Sequence, residues 1–303
     1  MRIEGLFMNQ GNRTDTKEIA GKDDLWLAEY ARNVTSQYGE DGIIEKVLEV
    51  IGIHNKWCVE FGSWDGKACS NTYRLITEKE YSAVLIEGNP KRYKDLLKTF
   101  GENHRVIPLN AFVGFDKETG LDSILKATDI PPDFDILSID IDGNDYHVWE
   151  AARAYKPKIV VIEFNPTIPP TVEFIQSADK RLMHGSSLLS ITKLANSKGY
   201  ELVCATTTNA IYVDEKYFKL FGIKDNSVGT MMTDRSGITH IFSGYDGTVF
   251  IRGCGTIPWQ GIDYRESRVQ QIPRWATKRV GDRNILRRKM GKIFRRLRKK
   301  GII

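Results

Sequence analysis

At 303 residues, with 41% hydrophobic and 27% charged residues, the chain is long enough for a sizeable core and has the balance of a soluble globular protein of one large or two ordinary domains. Its four cysteines, Cys58, Cys69, Cys204 and Cys254, are scattered without a C-x-x-C pair, which argues against disulfides and structural zinc and fits a reducing cytoplasm; no run approaches the length of a membrane-spanning helix. The net charge of +5 conceals an asymmetry: residues 278–300 hold 12 Lys and Arg against one acid, Asp282, which leaves 32 bases against 38 acids elsewhere.

Residues 1–35 read as a polar, loosely ordered lead without an apolar run of signal-peptide length, in which 24–32 could form a short helix. Ser36-Gln-Tyr-Gly-Glu-Asp-Gly42 follows. It is either a turn and cap or a segment folded over a ligand pocket. Apolar residues at 43, 44, 47, 48 and 51 have helical spacing. Residues 57–61, Trp-Cys-Val-Glu-Phe, read as a first strand, and a loop with Gly62, Ser63 and Gly66 joins it to a helix predicted over 67–78. Strand, glycine loop and helix bring backbone N–H groups up to a ligand, and glycine there permits a tight turn and a close approach.

A second strand, 81–87, ends in Glu87, 21 residues after Gly66. An acid at that place can accept both hydroxyls of a ribose. The spacing Glu-x-Gly-x-x-x-Gly, with Glu60 in the strand end, would repel a pyrophosphate and suits the cationic amino group of S-adenosylmethionine. Without a ligand the loop would be only a tight turn.

A helix over 90–100, a third strand over 105–109 ending at Asn110, and a polar connection over 115–130 come next. The fourth strand is 134–140, followed by a helix over 146–154. The fifth strand is 158–163, followed by Phe164, Asn165 and Pro166. A helix over 187–198 and two late strands, 201–204 and 210–213, complete the alternation. It predicts a doubly wound, mostly parallel α/β sheet with ligands at the carboxyl ends of the strands, where Glu60, Glu87, Asn110, Asp140 and Glu163 all fall. Residues 216–277 are rich in Gly, Thr and Tyr and read as a loop-and-hairpin appendage packed on the catalytic domain.

After the fourth strand, Asp140, Asp142, Asp145 and His147 crowd together. Asp140 and Asp142 share one side of a strand mouth, and Glu163 and Asn165 close the neighbouring strand. Hard oxygen ligands of this kind suit Mg²⁺, which would lower the pKa of a substrate hydroxyl while Asp140, Asp142 or His147 takes its proton. The bland alternative is a turn whose acids cap the next helix. His54, His104, His184 and His240 are isolated in sequence and suggest no role.

Together, Ser36 to Gly42, Val59-Glu-Phe-Gly-Ser-Trp-Asp-Gly66, Leu85-Ile-Glu-Gly-Asn-Pro90, Asp135 to Asp145 and Gly199-Tyr-Glu-Leu-Val203 resemble the class I S-adenosylmethionine-dependent methyltransferases, and more closely their FkbM-type branch of O-methyltransferases in natural-product and surface-glycan biosynthesis. The resemblance covers roughly 36–215. It implies a Rossmann-like domain in which Glu60, Gly62, Ser63 and Gly66 cradle the methionine part of the cofactor, Glu87 binds ribose and Asn110 lies near adenine. It also implies a Mg²⁺ site at Asp140, Glu163 and Asn165. That match is partial, because Phe164 splits the fifth-strand pair and no lysine base follows Asp140.

The tail 278–303 reads as a basic amphipathic helix with Leu286, Met290, Ile293 and Leu297 on one face and Phe294 beside them. It suits an anionic membrane surface better than nucleic acid, since aromatic residues for base stacking are missing. The expectation is an O-methyltransferase of a sugar, glycan or related small molecule, cytoplasmic and peripheral on the inner face of the membrane. The alternatives are an RNA or protein methyltransferase anchored by the tail and a non-catalytic binding module.

Overall fold

Seven strands form the central sheet of the computed structural model, which describes residues 23–273 and 284–302. They are β1 (Trp57–Phe61), β2 (Ser82–Ile86), β3 (Val106–Leu109), β4 (Ile136–Ile139), β5 (Ile159–Glu163), β6 (Tyr200–Ala205) and β7 (Asn209–Asp214), in the order β3-β2-β1-β4-β5-β7-β6. The first five run parallel. β7 lies antiparallel between β5 and β6, because the short turn after β6 can join only neighbours that run in opposite directions. The helices α1 (Glu40–Ile51), α2 (Tyr73–Glu78), α3 (Pro90–Phe100), α4 (Leu121–Leu125), α5 (Asp145–Ala151) and α6 (Leu188–Ser197) alternate with the strands. This is the doubly wound, mostly parallel α/β class expected from the sequence. Val59, Leu85, Ile136 and Val161 are buried in β1, β2, β4 and β5, and these strands read as nearly continuous apolar runs because both sheet faces are covered.

The first compact unit runs to Asp234, so the boundary differs from the one drawn at 215. The reason is packing. Trp26, which is buried, donates its indole N–H to the Phe221 carbonyl at 3.0 Å, and Asn226 donates to Glu201 at 2.8 Å. Two short helices, α7 (Glu215–Phe218) and α8 (Val228–Met231), belong to this unit. The helix expected over 24–32 is a 3-10 turn at Trp26–Tyr30. Residues 1–22 of the predicted lead lie outside the described residues.

The second unit contains the antiparallel hairpin β8 (Thr239–Ser243) and β9 (Val249–Gly253), a two-residue ladder of β10 (Thr256–Ile257) and β11 (Ile262–Asp263), and the helices α9 (Glu266–Val269) and α10 (Ile285–Lys299). Residues 278–283 of the predicted tail lie outside the described residues. No helix among the described residues is long and apolar enough to cross a membrane.

At the amino ends of the strands, away from the ligand side, sits a buried ionic cluster. Fully buried Asp135 faces Lys158 Nζ at 3.2 Å and accepts hydrogen bonds from Tyr81 Oη at 3.2 Å and from the Lys56 amide at 3.1 Å. Removing one partner of a buried pair strands the other charge. Asp135→Ala is therefore expected to cost about 3–5 kcal/mol of stability, read as a lower denaturation midpoint at unchanged m-value. A change below about 1 kcal/mol would show the cluster to be dispensable.

Candidate functional site

The winding of the sheet reverses beside β1, with β2 and β3 on one side and β4 and β5 on the other. In open α/β sheets the crevice at such a switch point, outside the carboxyl ends of the strands, is where ligands bind. Nine of the eleven residues predicted for the site come to this edge.

Gly62, the first residue after β1, has φ +77, and a Cβ there would stand 1.7 Å from the Asp140 carbonyl oxygen. Gly66 has φ +75, and its Cβ would press on Leu96 and Phe100 of α3 at 2.7 and 2.9 Å. Both glycines thus serve close approach within the protein itself. Ser63 is buried, and its hydroxyl reaches the Glu60 and Ile86 carbonyls, each at 2.9 Å, joining the ends of β1 and β2.

The helix expected over 67–78 begins only at Tyr73. Ser70 Oγ and Thr72 Oγ1 donate to Glu60 Oε2 at 2.6 and 2.8 Å, and the Asn71 amide donates to Oε1 at 2.8 Å. These local polar groups compete with helix formation and wrap the chain around the carboxylate. Glu60 is buried, and burial raises its proton affinity against the opposing pull of those hydrogen bonds. The loop thus already supplies three donors to the acid predicted to meet the cofactor's amino group.

Glu87 follows β2 and is also buried. Oε2 accepts from the Trp64 amide at 2.8 Å and Oε1 from the Asn89 amide at 2.6 Å. Each oxygen keeps a second lone pair. Asn110 is exposed, and its Nδ2 donates to the Glu87 carbonyl at 2.7 Å. Trp64 stands at the loop tip, 43% exposed, with the Arg92 guanidinium 4.9 Å from its ring.

Asp140, Asp142 and Glu163 each bring a carboxylate oxygen to within 4.8 Å of the others. Burial, then Asp140, Asp145 and Asp142, push the Glu163 carboxyl up to about 10. Burial, then Asp145 and Asp142, push Asp140 up to about 8. Three converging acids, of which Asp140 and Glu163 resist ionisation, form a hard-oxygen donor set of the kind that takes a divalent cation. Asp145 is raised to about 6, by burial before all else. It accepts from the Ile141 and Gly143 amides at 2.9 and 2.8 Å, so it closes the turn, as the bland alternative had it.

Two predicted residues are placed elsewhere. Asn165 accepts the Thr167 amide and hydroxyl at 2.9 and 2.7 Å and donates to the His184 carbonyl at 2.7 Å. It is an Asx turn before Pro166, and Asp142 takes its place in the cluster. His147 is held by the Gln176 carbonyl at 2.7 Å from Nε2, and its Nδ1 lies 3.8 Å from Glu150. The hydrogen bond to the Gln176 carbonyl directs Nε2 to the 166–186 segment.

The segment 166–186 had no reading from sequence. Buried Gln176 knots it, accepting the His184 and Gly185 amides at 2.9 and 3.0 Å. Asn144 Nδ2 ties it to the acidic turn through the Asp179 carbonyl at 3.2 Å. In the Ser36–Gly42 stretch, Asp41 Oδ2 accepts the Val34, Thr35 and Ser36 amides at 2.8, 2.9 and 2.8 Å. This makes a capping turn. Its buried Glu40 is nonetheless near enough to raise the proton affinity of Asp140.

No family model and no curated protein matches the chain. Among solved structures it is similar to the CMeT domain of the citrinin polyketide synthase, at 11% identity and a TM-score of 0.38, over 63% of this chain and 55% of that one. It is similar to a SAM-dependent methyltransferase from Aquifex aeolicus, at 14% identity and a TM-score of 0.35, over 66% and 98%, and to the [4+2]-cyclase SpnF, at 12% and 0.34, over 57% and 63%. The chain thus spans little more than half the length of the polyketide synthase domain.

Proposed function

We propose that the first unit transfers a methyl group from S-adenosylmethionine to a hydroxyl of a sugar, glycan or related small molecule, as the FkbM-type resemblance implies. The observation that carries this reading is Glu87, buried beside the switch point with a lone pair left on each oxygen for the two hydroxyls of a ribose. The loop from Gly62 to Gly66 would face the methionine part, and Asn110 the adenine. The acids at the β1 and β4 ends suit a sulfonium cation and would repel a pyrophosphate.

Transfer breaks the sulfur–methyl bond, makes an oxygen–methyl bond and releases the acceptor proton. Without a bound cation, Asp140, its proton affinity raised to about 8, is matched to accept that proton near neutral pH, with Asp142 beside it. Asp140, Asp142 and Glu163 are the residues that would hold Mg²⁺, and a bound cation would polarise the acceptor hydroxyl.

On α10, Leu286, Met290 and Ile293 are 69%, 45% and 58% exposed. Among the described residues the apolar stripe is thus mostly uncovered, and Lys289 and Arg296 flank it. This favours docking on an anionic membrane surface from the cytoplasmic side over a nucleic-acid anchor. Removing residues 278–303 is expected to abolish co-sedimentation with anionic vesicles and to spare activity on soluble acceptors. Loss of RNA binding together with activity would favour the alternative.

Calorimetry tests the cofactor reading. Wild type should bind S-adenosylmethionine, and Glu87→Ala should weaken binding roughly 100-fold, the loss of two charge-assisted hydrogen bonds. No binding by wild type, with or without Mg²⁺, would leave the fold as a non-catalytic module.

A further inference from the structure

The two edges of the β8–β9 hairpin are built differently. Even-numbered residues face the partner strand within it, as the Gly244 amide to Thr248 carbonyl bond and the Cys254 amide to Ile238 carbonyl bond show, both 2.8 Å. The backbone groups of Val249 and Ile251 therefore point away from β8, and side chains occupy them. Gln270 binds Val249 on both sides, accepting its amide at 3.0 Å and donating to its carbonyl at 2.8 Å. Glu266 accepts the Ile251 amide at 3.0 Å, and Arg252 donates to the Ile251 carbonyl at 2.6 Å. The outer edge of β9 is thereby closed to further pairing.

β8 has no such cover. Its outward backbone groups belong to Thr239, Ile241 and Ser243, and no described residue bonds to them. Ile241 and Phe242 are 60% and 51% exposed. The strand carries no Lys, Asp, Glu or Pro, the usual guards of an open edge. The whole hairpin, 239–253, holds one base, Arg252, paired to Glu266, and one acid, Asp246.

We infer that β8 is a dimer interface, pairing antiparallel with β8 of a second copy about a two-fold axis at Ile241. In that register Thr239 meets Ser243 of the partner subunit, Ile241 meets Ile241 of the partner subunit, and every outward amide finds a carbonyl. The strand is self-complementary there, small hydroxyl against small hydroxyl and aliphatic against aliphatic. An isologous contact of this kind closes on itself. Because the β9 edges are blocked, the product is one four-stranded sheet of two chains and not a growing fibre. A two-stranded hairpin is marginal alone, and two added neighbours give it the width of a stable sheet. This inference does not depend on the reaction proposed for the first unit.

Analytical ultracentrifugation of the full chain, from about 1 to about 100 µM, tests it. Wild type should show a monomer–dimer equilibrium. Ile241→Pro removes only an outward amide, so the hairpin keeps its internal bonds, and dimerisation should weaken roughly thirtyfold or more. Ile241→Lys keeps the amide and places like charges at the axis, and should do the same. Gln270→Ala combined with Glu266→Ala should open most of the second edge and give species larger than a dimer. A monomeric wild type overturns the inference, as does a dimer that both Ile241 variants leave unchanged.

Discussion

Gly62→Ala is expected to destabilise the first unit by more than about 4 kcal/mol and to abolish cofactor binding. The added methyl group meets backbone and not a side chain, with the Asp140 carbonyl oxygen at 1.7 Å and its carbon at 2.9 Å. No rotamer change relieves that clash, so the ends of β1 and β4 must move apart, and with them the crevice at the switch point. The left-handed backbone adds its own cost, about 1 kcal/mol. Gly52→Ala separates the two terms, since Gly52 has φ +80 and nothing within 4 Å of its would-be Cβ. Gly66→Ala should fall between them, because the ends of Leu96 and Phe100 can yield. Chemical denaturation of the three variants gives the ranking, and equal losses for Gly52→Ala and Gly62→Ala would show that contact with Asp140 does not matter.

The fold was readable because its strands are buried on both faces and its helices are periodic. Trp57 to Glu60, Leu85 to Glu87 and Ile136 to Asp140 each give an apolar run ending in a carboxylate, and that pattern placed Glu60, Glu87 and Asp140 at one edge. Where side chains decide the backbone, the reading was poorer. Ser70, Asn71 and Thr72 look compatible with a helix start, but Glu60, ten or so residues earlier, draws them into a loop. Asn165 looked like a ligand because it neighbours Glu163, yet the proline after it favours an Asx turn that uses its side chain locally. His147 shares a helix with Asp145, but its ring is set by the Gln176 carbonyl, 29 residues away. A buried glutamine that knots an irregular segment has no periodicity to announce it, so 166–186 carried no signal. The β9 edge was equally hidden, since its cover comes from Glu266 and Gln270, beyond the hairpin.

Metal-free protein is expected to lose stability as the pH rises from 5 to 8, the reverse of ordinary acid denaturation. In the unfolded chain Asp and Glu release their protons near pH 4. In the folded protein Asp145, Asp140 and Glu163 hold theirs up to about 6, 8 and 10. Through that window the native state binds more protons, so the stability these groups lend is fully present below about pH 4 and drains away as pH climbs through the folded values. Each group still protonated only in the folded state contributes up to about 1.4 kcal/mol per pH unit to that loss. Glu45, lowered to about 2 by Arg74 and Lys79, works in the opposite sense below pH 4, which leaves a stability maximum in mild acid. A divalent cation should reverse the slope, since it takes the place of the protons and relieves the repulsion among Asp140, Asp142 and Glu163. Glu163→Gln preserves the shape and removes the most strongly protonated member, so it should make the pH dependence shallower and cancel the stabilisation by Mg²⁺. Melting temperature against pH, in chelator and in Mg²⁺, reads both effects without any acceptor substrate. Proton release on adding Mg²⁺ at pH 8, measured calorimetrically in buffers of different ionisation enthalpy, checks the exchange directly. A melting temperature that rises from pH 5 to 8 in chelator, equally in wild type and Glu163→Gln, would mean that the three acids are ionised and apart in solution and that the cation site is not assembled.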